Sequence, residues 1–110
     1  MPSLNTFSRT CLAIAIAQAS VANVHAATII VDGNLDVDGA GAPCTLREAI
    51  SSANTNPGNT TNGCISGDTG EDSITFSAGV TSVSLTQAAY LEISEDLIIS
   101  GPDGTNVTIN

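Results

Sequence analysis

The sequence predicts an all-β fold: the first coils of a parallel β-helix, fewer than two, with a short α-helix capping the open end. Three observations favour it: short apolar pairs at strand spacing, a repeat about one coil long, and a capped helix just ahead of them. The terminal coil of a solenoid leaves its apolar core open, so a capping element is needed there. The predicted organisation is a leader over 1–26, a strand, capping helix and cysteine loop over 27–71, and incomplete first coils over 72–110.

The segment 1–26 has the features of a cleaved secretory signal. A polar region with Arg9 precedes an apolar stretch over 12–24, and Val24 and Ala26 place small residues before the cleavage point. The apolar stretch is shorter than the roughly 20 residues that a membrane-spanning helix needs. We therefore expect an exported protein, extracellular or at a bacterial cell surface, outer membrane or periplasm, with no membrane span after cleavage. The other interpretation is a retained, buried N-terminal helix.

Loss of the leader leaves a strongly acidic chain. All 11 acids lie after Ala26 and Arg47 is then the only base, which gives a formal charge of −10. Such a surface repels phosphate backbones, which argues against nucleic-acid binding. It suits a soluble exported protein, or one that attracts divalent cations.

Two cysteines remain in the mature chain, Cys44 and Cys64. An even pair in an exported protein predicts a disulfide, and a metal site would need further ligands that the chain cannot draw from histidine. The bridge closes 20 positions, for which loop-closure entropy gives a stabilisation of about 3 kcal/mol.

The capped helix begins after Thr45. With Glu48 three residues on, the pair forms the pattern of a capping box, in which each side chain binds the other's backbone amide. One face of the helix is apolar by the i, i+3, i+4, i+7 rule, at Leu46, Ala49, Ile50 and Ala53. Two to three turns are too short to persist alone in water, so this face must lie on something apolar. Arg47 is expected to pair with an acid and orient the helix; the other interpretation is a substrate-binding or catalytic arginine.

Strand signals surround this helix. The stretch 27–31 is β-branched, and later apolar pairs alternate with polar residues as in strands with one buried face. The later pairs are Ile74/Phe76, Val83/Leu85, Leu91/Ile93, Leu97/Ile99 and Val107/Ile109.

An internal repeat links these strands. Ile74 and Leu97 begin similar segments, and Val83 and Val107 begin another similar pair at nearly the same offset. A period in the low twenties with several short strands is typical of a solenoid, although an antiparallel sandwich also has short strands between turns. Fewer than two coils fit in Ser73–Asn110, and about three are needed for stability, so we expect a fragment of a larger protein.

An Asx-rich loop precedes the helix. Asn34, Asp36 and Asp38, with Gly39 at the sixth position, resemble the start of a calcium-binding loop. The twelfth position is Thr45 and not the expected glutamate, so calcium is the one candidate cofactor and a solvated turn is the alternative.

The segment Cys44–Ile50 resembles a family signature. It matches C-[ST]-L-R-E-A-I, the mark of the CSLREA-type N-terminal domain of bacterial secreted and surface right-handed, pectate-lyase-like parallel β-helix proteins, with Thr45 where the family name has serine. The resemblance extends over roughly 27–110. It implies a right-handed β-helix and a capping role for Cys44, Leu46, Arg47, Glu48, Ala49 and Ile50. It carries over no catalytic residue.

The sequence therefore predicts a non-catalytic, structural or surface-adhesive cap of an exported β-helix protein. Its expected partners are the later coils of the full-length protein and a polysaccharide or cell-surface ligand. One alternative is the leading part of a polysaccharide lyase or glycoside hydrolase whose active site lies on later coils, since fold alone does not decide function. A second alternative is a calcium-binding surface module.

Overall fold

The structure, a computed structural model, describes residues 25–39, 41, 43–55, 63–103 and 105–110. These residues contain one helix, α1 (Leu46–Asn54), and the strands β1 (Thr28–Val31), β2 (Asp72–Phe76), β3 (Ser82–Val83), β4 (Leu97–Ile99) and β5 (Thr108–Ile109). The predicted leader lies outside them except for His25 and Ala26. Within the described ranges, none of the helical structure has the length and apolar character to cross a bilayer.

The strands form two small parallel sheets. One has the order β1-β2-β4, and the other pairs β3 with β5. In the first sheet Ile29 lies opposite Ile74, and Ile74 lies opposite Ile99; in the second, Val83 lies opposite Ile109. Parallel neighbours require a crossover between them, and here each crossover includes long irregular segments.

The β-helix prediction is wrong for this structure. The two sheets are open, with three and two strands, and they do not close or coil around a core. The physical reason lies in the pairing: strands of two to five residues form short ladders, and the described parts of the connections add no further strands that would close a coil. Side chains of the last strands, Ile98, Ile99 and Ile109, are exposed instead of being enclosed.

The predicted strand at Leu91/Ile93 also needs correction. This pair forms no strand; on either side of it, the amides of Gln87 and Ser94 donate to the side chains of Asp36 and Asn54.

The repeated segments do pair as parallel strands, but the residues that lie opposite each other are slightly further apart in the sequence than the similar residues are. Leu97 lies opposite Asp72 and not opposite Ile74, and Val83 lies opposite Ile109 and not opposite Val107. The prediction aligned residues of similar side-chain type, whereas the register of the strands is set by their backbone hydrogen bonds.

The core joins the helix to both sheets. Residues of β1 and β2 alternate inward and outward, as predicted, and α1 packs its apolar face against these two strands. The alternation predicted for the last two strands is wrong, since Ile99 and Ile109 are exposed. The buried apolar residues are Ile29, Val31, Cys44, Leu46, Ala49, Ile50, Ala53, Cys64, Ile74, Phe76, Val80 and Val83. The predicted helix and its buried face are confirmed.

Shortening Ile50 should destabilise the protein more than removing the helix cap does. Ile50 is only 4% exposed, so Ile50→Ala is expected to lower the free energy of unfolding by about 2–5 kcal/mol through lost burial and a cavity. Thr45→Ala should cost about 1–2 kcal/mol through the lost cap. Urea unfolding curves measure both.

The matched control is Ile30→Ala, the same change at a residue that is 55% exposed on β1. It should change the free energy of unfolding by no more than about 0.5 kcal/mol. An Ile50→Ala protein as stable as Ile30→Ala would show that the helix face does not hold the core together.

Candidate functional site

The first turn of α1 is held by a complete capping box. The Thr45 Oγ1 atom accepts a hydrogen bond from the Glu48 amide at 3.3 Å, and Glu48 Oε2 accepts one from the Thr45 amide at 3.1 Å. The same side chains reach the preceding loop, since Thr45 Oγ1 donates to the Val37 carbonyl at 2.8 Å and Glu48 Oε1 accepts from the Gly39 amide at 2.9 Å. The predicted capping box is confirmed, and it also fixes the loop to the helix.

Arg47 forms a bidentate ion pair with Asp36. Its Nε lies 2.6 Å from Oδ1 and its Nη2 lies 3.0 Å from Oδ2 of a fully buried Asp36 side chain. Two parallel charge-assisted hydrogen bonds fix the relative orientation of both groups. The predicted pairing of Arg47 with an acid is confirmed.

Asp36 also holds a distant segment. Its Oδ2 accepts hydrogen bonds from the amides of Thr86 at 2.8 Å and Gln87 at 2.7 Å, and the Gln87 Nε2 donates to the Asp36 carbonyl at 2.8 Å. The hydrogen bond from Arg47 lowers the pKa of Asp36 to about 2, helped by the two amides and opposed by burial. One carboxylate therefore joins the Asx-rich loop, the helix and a segment much further along the chain.

Cys44 and Cys64 form the predicted disulfide. Both residues are buried, and their Cα atoms lie 4.7 Å apart. Cys44 is bound again through its backbone: its amide donates to Asp32 Oδ1 at 2.6 Å, and its carbonyl accepts from the amides of Asp32 and Gly33, both at 3.0 Å. The bridge thus joins the loop after β1, the start of α1 and the segment that leads to β2.

The three candidate calcium ligands have different surroundings. Asn34 is exposed, and its carbonyl accepts a hydrogen bond from the Ser84 amide at 3.3 Å. Asp36 turns its carboxylate to Arg47, whereas Asp38 is exposed on the rim of a groove beside the helix. The part of the chain that the structure describes has no cluster of three or more acidic, histidine or cysteine side chains that could hold a metal ion. Calcium binding at this loop stays a prediction.

Two further side chains bind backbone atoms in ways that the sequence analysis missed. Asp72 is buried, and its carboxylate accepts hydrogen bonds from the amides of Ala27 at 2.8 Å and Asp68 at 3.1 Å. Asn54, at the end of α1, donates to the Glu92 carbonyl at 2.7 Å and accepts from the Ser94 amide at 3.0 Å. The signal for Asp72 was its place at the first, inward position of a strand; for Asn54 there was none, since its partners lie far along the chain.

The polar contacts of this site join parts of the same chain to one another. The polar side chains of the signature, Thr45, Arg47 and Glu48, bind backbone groups of the preceding loop or the carboxylate of Asp36. Hydrogen bonds of this kind fix loops in place because buried polar groups are costly when left without partners. The polar residues of the signature therefore have structural roles in this protein.

Comparisons with known proteins assign the chain to no family. No family model matches the chain, and neither the curated proteins nor the solved structures contain a significant match to it.

The Asp36 ion pair should make stability depend on pH. The native state holds the Asp36 proton less tightly than the unfolded chain, so the stabilisation is present above pH 3.8 and is lost as the pH falls toward about 2. The gap in melting temperature between the wild type and Asp36→Asn should therefore narrow over this range. Thermal melts at a series of pH values measure it.

Glu95→Gln removes the same charge from an exposed side chain and serves as the control. Its melting curve should follow that of the wild type closely at every pH, because substitutions on the surface usually change stability little. A gap between the wild type and Asp36→Asn that stays constant from pH 6 to pH 2 would contradict the assignment.

Proposed function

We propose that this chain is a non-catalytic structural module of an exported protein. The observation that carries the proposal is the use of Arg47, the single base of 27–110, in a buried bidentate pair with Asp36. An arginine held in this way serves to orient the helix and the loop before it. The resemblance of Cys44–Ile50 to the CSLREA signature, a capping region in its family, is consistent with such a role.

The module covers one side of its sheet. Helix α1 packs on the face of the sheet against β1 and β2, and the Cys44 backbone binds the chain just after the edge strand β1. Covering an edge with a helix or loop protects it from unwanted pairing. The opposite edge, at β4, exposes Ile98 and Ile99. We propose that the β4 edge pairs with further strands of polypeptide, whereas the loop at Cys44 limits pairing at the β1 edge.

Export is supported by three features, of which the third presumes loss of the leader. Residues 1–26 have the pattern of a cleaved signal, the disulfide Cys44–Cys64 suits an oxidising compartment, and the charge of −10 suits a soluble surface. The proposed location is outside the cytoplasm, in the extracellular space or at the cell surface.

The proposal is tested by expressing the full chain in a bacterial host. Edman sequencing of material from the periplasm or medium should begin at Ala27, and mass spectrometry without reductant should show Cys44 and Cys64 joined. Incubated with pectate or with neutral polysaccharides, this material should release neither unsaturated uronides nor reducing ends.

Arg47→Ala separates the structural role from a catalytic one. We expect it to lower the melting temperature while product release stays at the buffer level for both proteins. Arg47→Lys is the conservative control, and it should restore stability only in part because lysine cannot form a bidentate pair. Product release by the wild type that disappears in Arg47→Ala would contradict the proposal, as would retention of the chain in the cytoplasm with free thiols.

A further inference from the structure

A groove of about 230 Å³ lies between α1 and the segment 90–92. The helix residues Arg47, Ser51 and Asn54 line it, together with Asp38. Ile50 and Leu91 add apolar surface. The groove thus has a mostly polar lining with a smaller apolar part, which favours a polar ligand.

Tyr90 is the outstanding residue of this groove. It is the only tyrosine of the chain, and it is 84% exposed. An aromatic ring that faces solvent gives up apolar contact that it would gain in a core or a complex. Tyrosine also loses little conformational entropy when it binds a ligand, since its side chain has two rotatable angles.

The segment that carries Tyr90 is fixed at both ends. On one side the amide of Gln87 donates to Asp36 at 2.7 Å, and on the other the amide of Ser94 donates to Asn54 at 3.0 Å. Tyr90 lies between these two attachments, three residues from one and four from the other. The ring is therefore presented by a backbone that is already positioned, which reduces the entropy lost on binding.

The charges around the groove select the kind of ligand. Arg47 directs Nε and Nη2 to Asp36 and has Asp38 nearby, so its positive charge is offset. The acidic residues Asp38 and Glu92 also line the groove, in a chain with a net charge of −10 after the leader. An anionic ligand such as a uronate or a phosphate is disfavoured by these charges.

A neutral ligand with several hydroxyl groups and one apolar face fits these features. Carboxylates and the amide of Asn54 can bind hydroxyl groups, and Asn54 keeps hydrogen-bonding capacity after its bonds to Glu92 and Ser94. The C–H face of a pyranose ring is apolar and flat enough to lie against the ring of Tyr90.

We propose that the groove between α1 and residues 90–92 is a binding subsite for one neutral pyranose unit of a glycan, with Tyr90 as the stacking platform. Asn54, Asp38 and Glu92 bind its hydroxyl groups. The proposal does not rest on the structural role given above, because the residues assigned to the sugar are not those of the Asp36–Arg47 pair.

Tyrosine fluorescence and NMR test this site directly. The chain has no tryptophan, so its tyrosine emission comes from Tyr90 alone. Methyl β-D-glucopyranoside, methyl β-D-galactopyranoside and methyl α-D-mannopyranoside are added in turn to the full chain. At least one should protect the emission from acrylamide quenching and shift the amide signals of Asn54, Tyr90 and Glu92.

Variants then separate the stacking from other effects. Tyr90→Ala should weaken the NMR-measured affinity about tenfold, and Tyr90→Phe, which keeps the ring face, less than about threefold. Ile65→Ala, at an apolar residue that is 56% exposed and does not line the groove, should leave the affinity unchanged. Since Tyr90 is exposed, all of these proteins should keep the wild-type melting temperature.

Two results would overturn the proposal. The first is the absence of any localised shift with all three glycosides up to their solubility limits, or equal shifts in the wild type and Tyr90→Ala. The second is tighter binding of D-galacturonate than of every neutral glycoside, which would show that the charges around the groove do not select the ligand as argued. Neither result bears on whether the chain is exported or inactive as an enzyme.

Discussion

The carboxylate of Asp36 is the interaction on which the arrangement of this protein depends. It accepts four hydrogen bonds, two from Arg47 on α1 and two from the amides of Thr86 and Gln87. With the loop that carries Asp36, these groups belong to three segments that share no strand ladder in this region. Truncating one partner of a buried charge pair leaves the other without compensation, so the cost of losing Asp36 should spread to all three segments.

Asp36 is one case of a wider pattern. A chain with 11 acids and one base after its leader cannot satisfy its buried carboxylates with cations. Glu48 and Asp72 are buried instead on backbone amides, those of Gly39 and Thr45 for the first and those of Ala27 and Asp68 for the second. Each such carboxylate fixes an irregular segment, which explains how short strands and long connections form an ordered unit.

Local signals explain what the sequence predicted well. The capping box of Thr45 and Glu48, the helix and the strands β1, β2 and β4 depend on neighbours within a few residues, and the disulfide on the presence of only two cysteines after the leader. The interactions of Asp36 with Thr86 and Gln87 join segments far apart in the chain and involve backbone amides, which carry no residue-specific pattern.

The dependence on segments far apart in the chain also explains the wrong predictions. Leu91 and Ile93 have the alternation of a strand, but they form no ladder, and the backbone on either side of them binds the side chains of Asp36 and Asn54. Whether a coil closes depends on the conformation of the long connections, which the periodicity of short apolar pairs does not predict. Asp36 was grouped with Asn34 and Asp38 by spacing alone, which could not reveal that it faces Arg47.

Native-state hydrogen exchange on Asp36→Ala tests most directly whether this carboxylate organises three segments. The account predicts that the amides of Thr86, Gln87, Gly39 and Ser94 lose protection together, although only the first two bind Asp36. The amides of Ser73 and Ser77, which bind β1 and its flank, should keep theirs. Loss of protection confined to Thr86 and Gln87, or no loss at all, would show that Asp36 is a local contact and contradict the account.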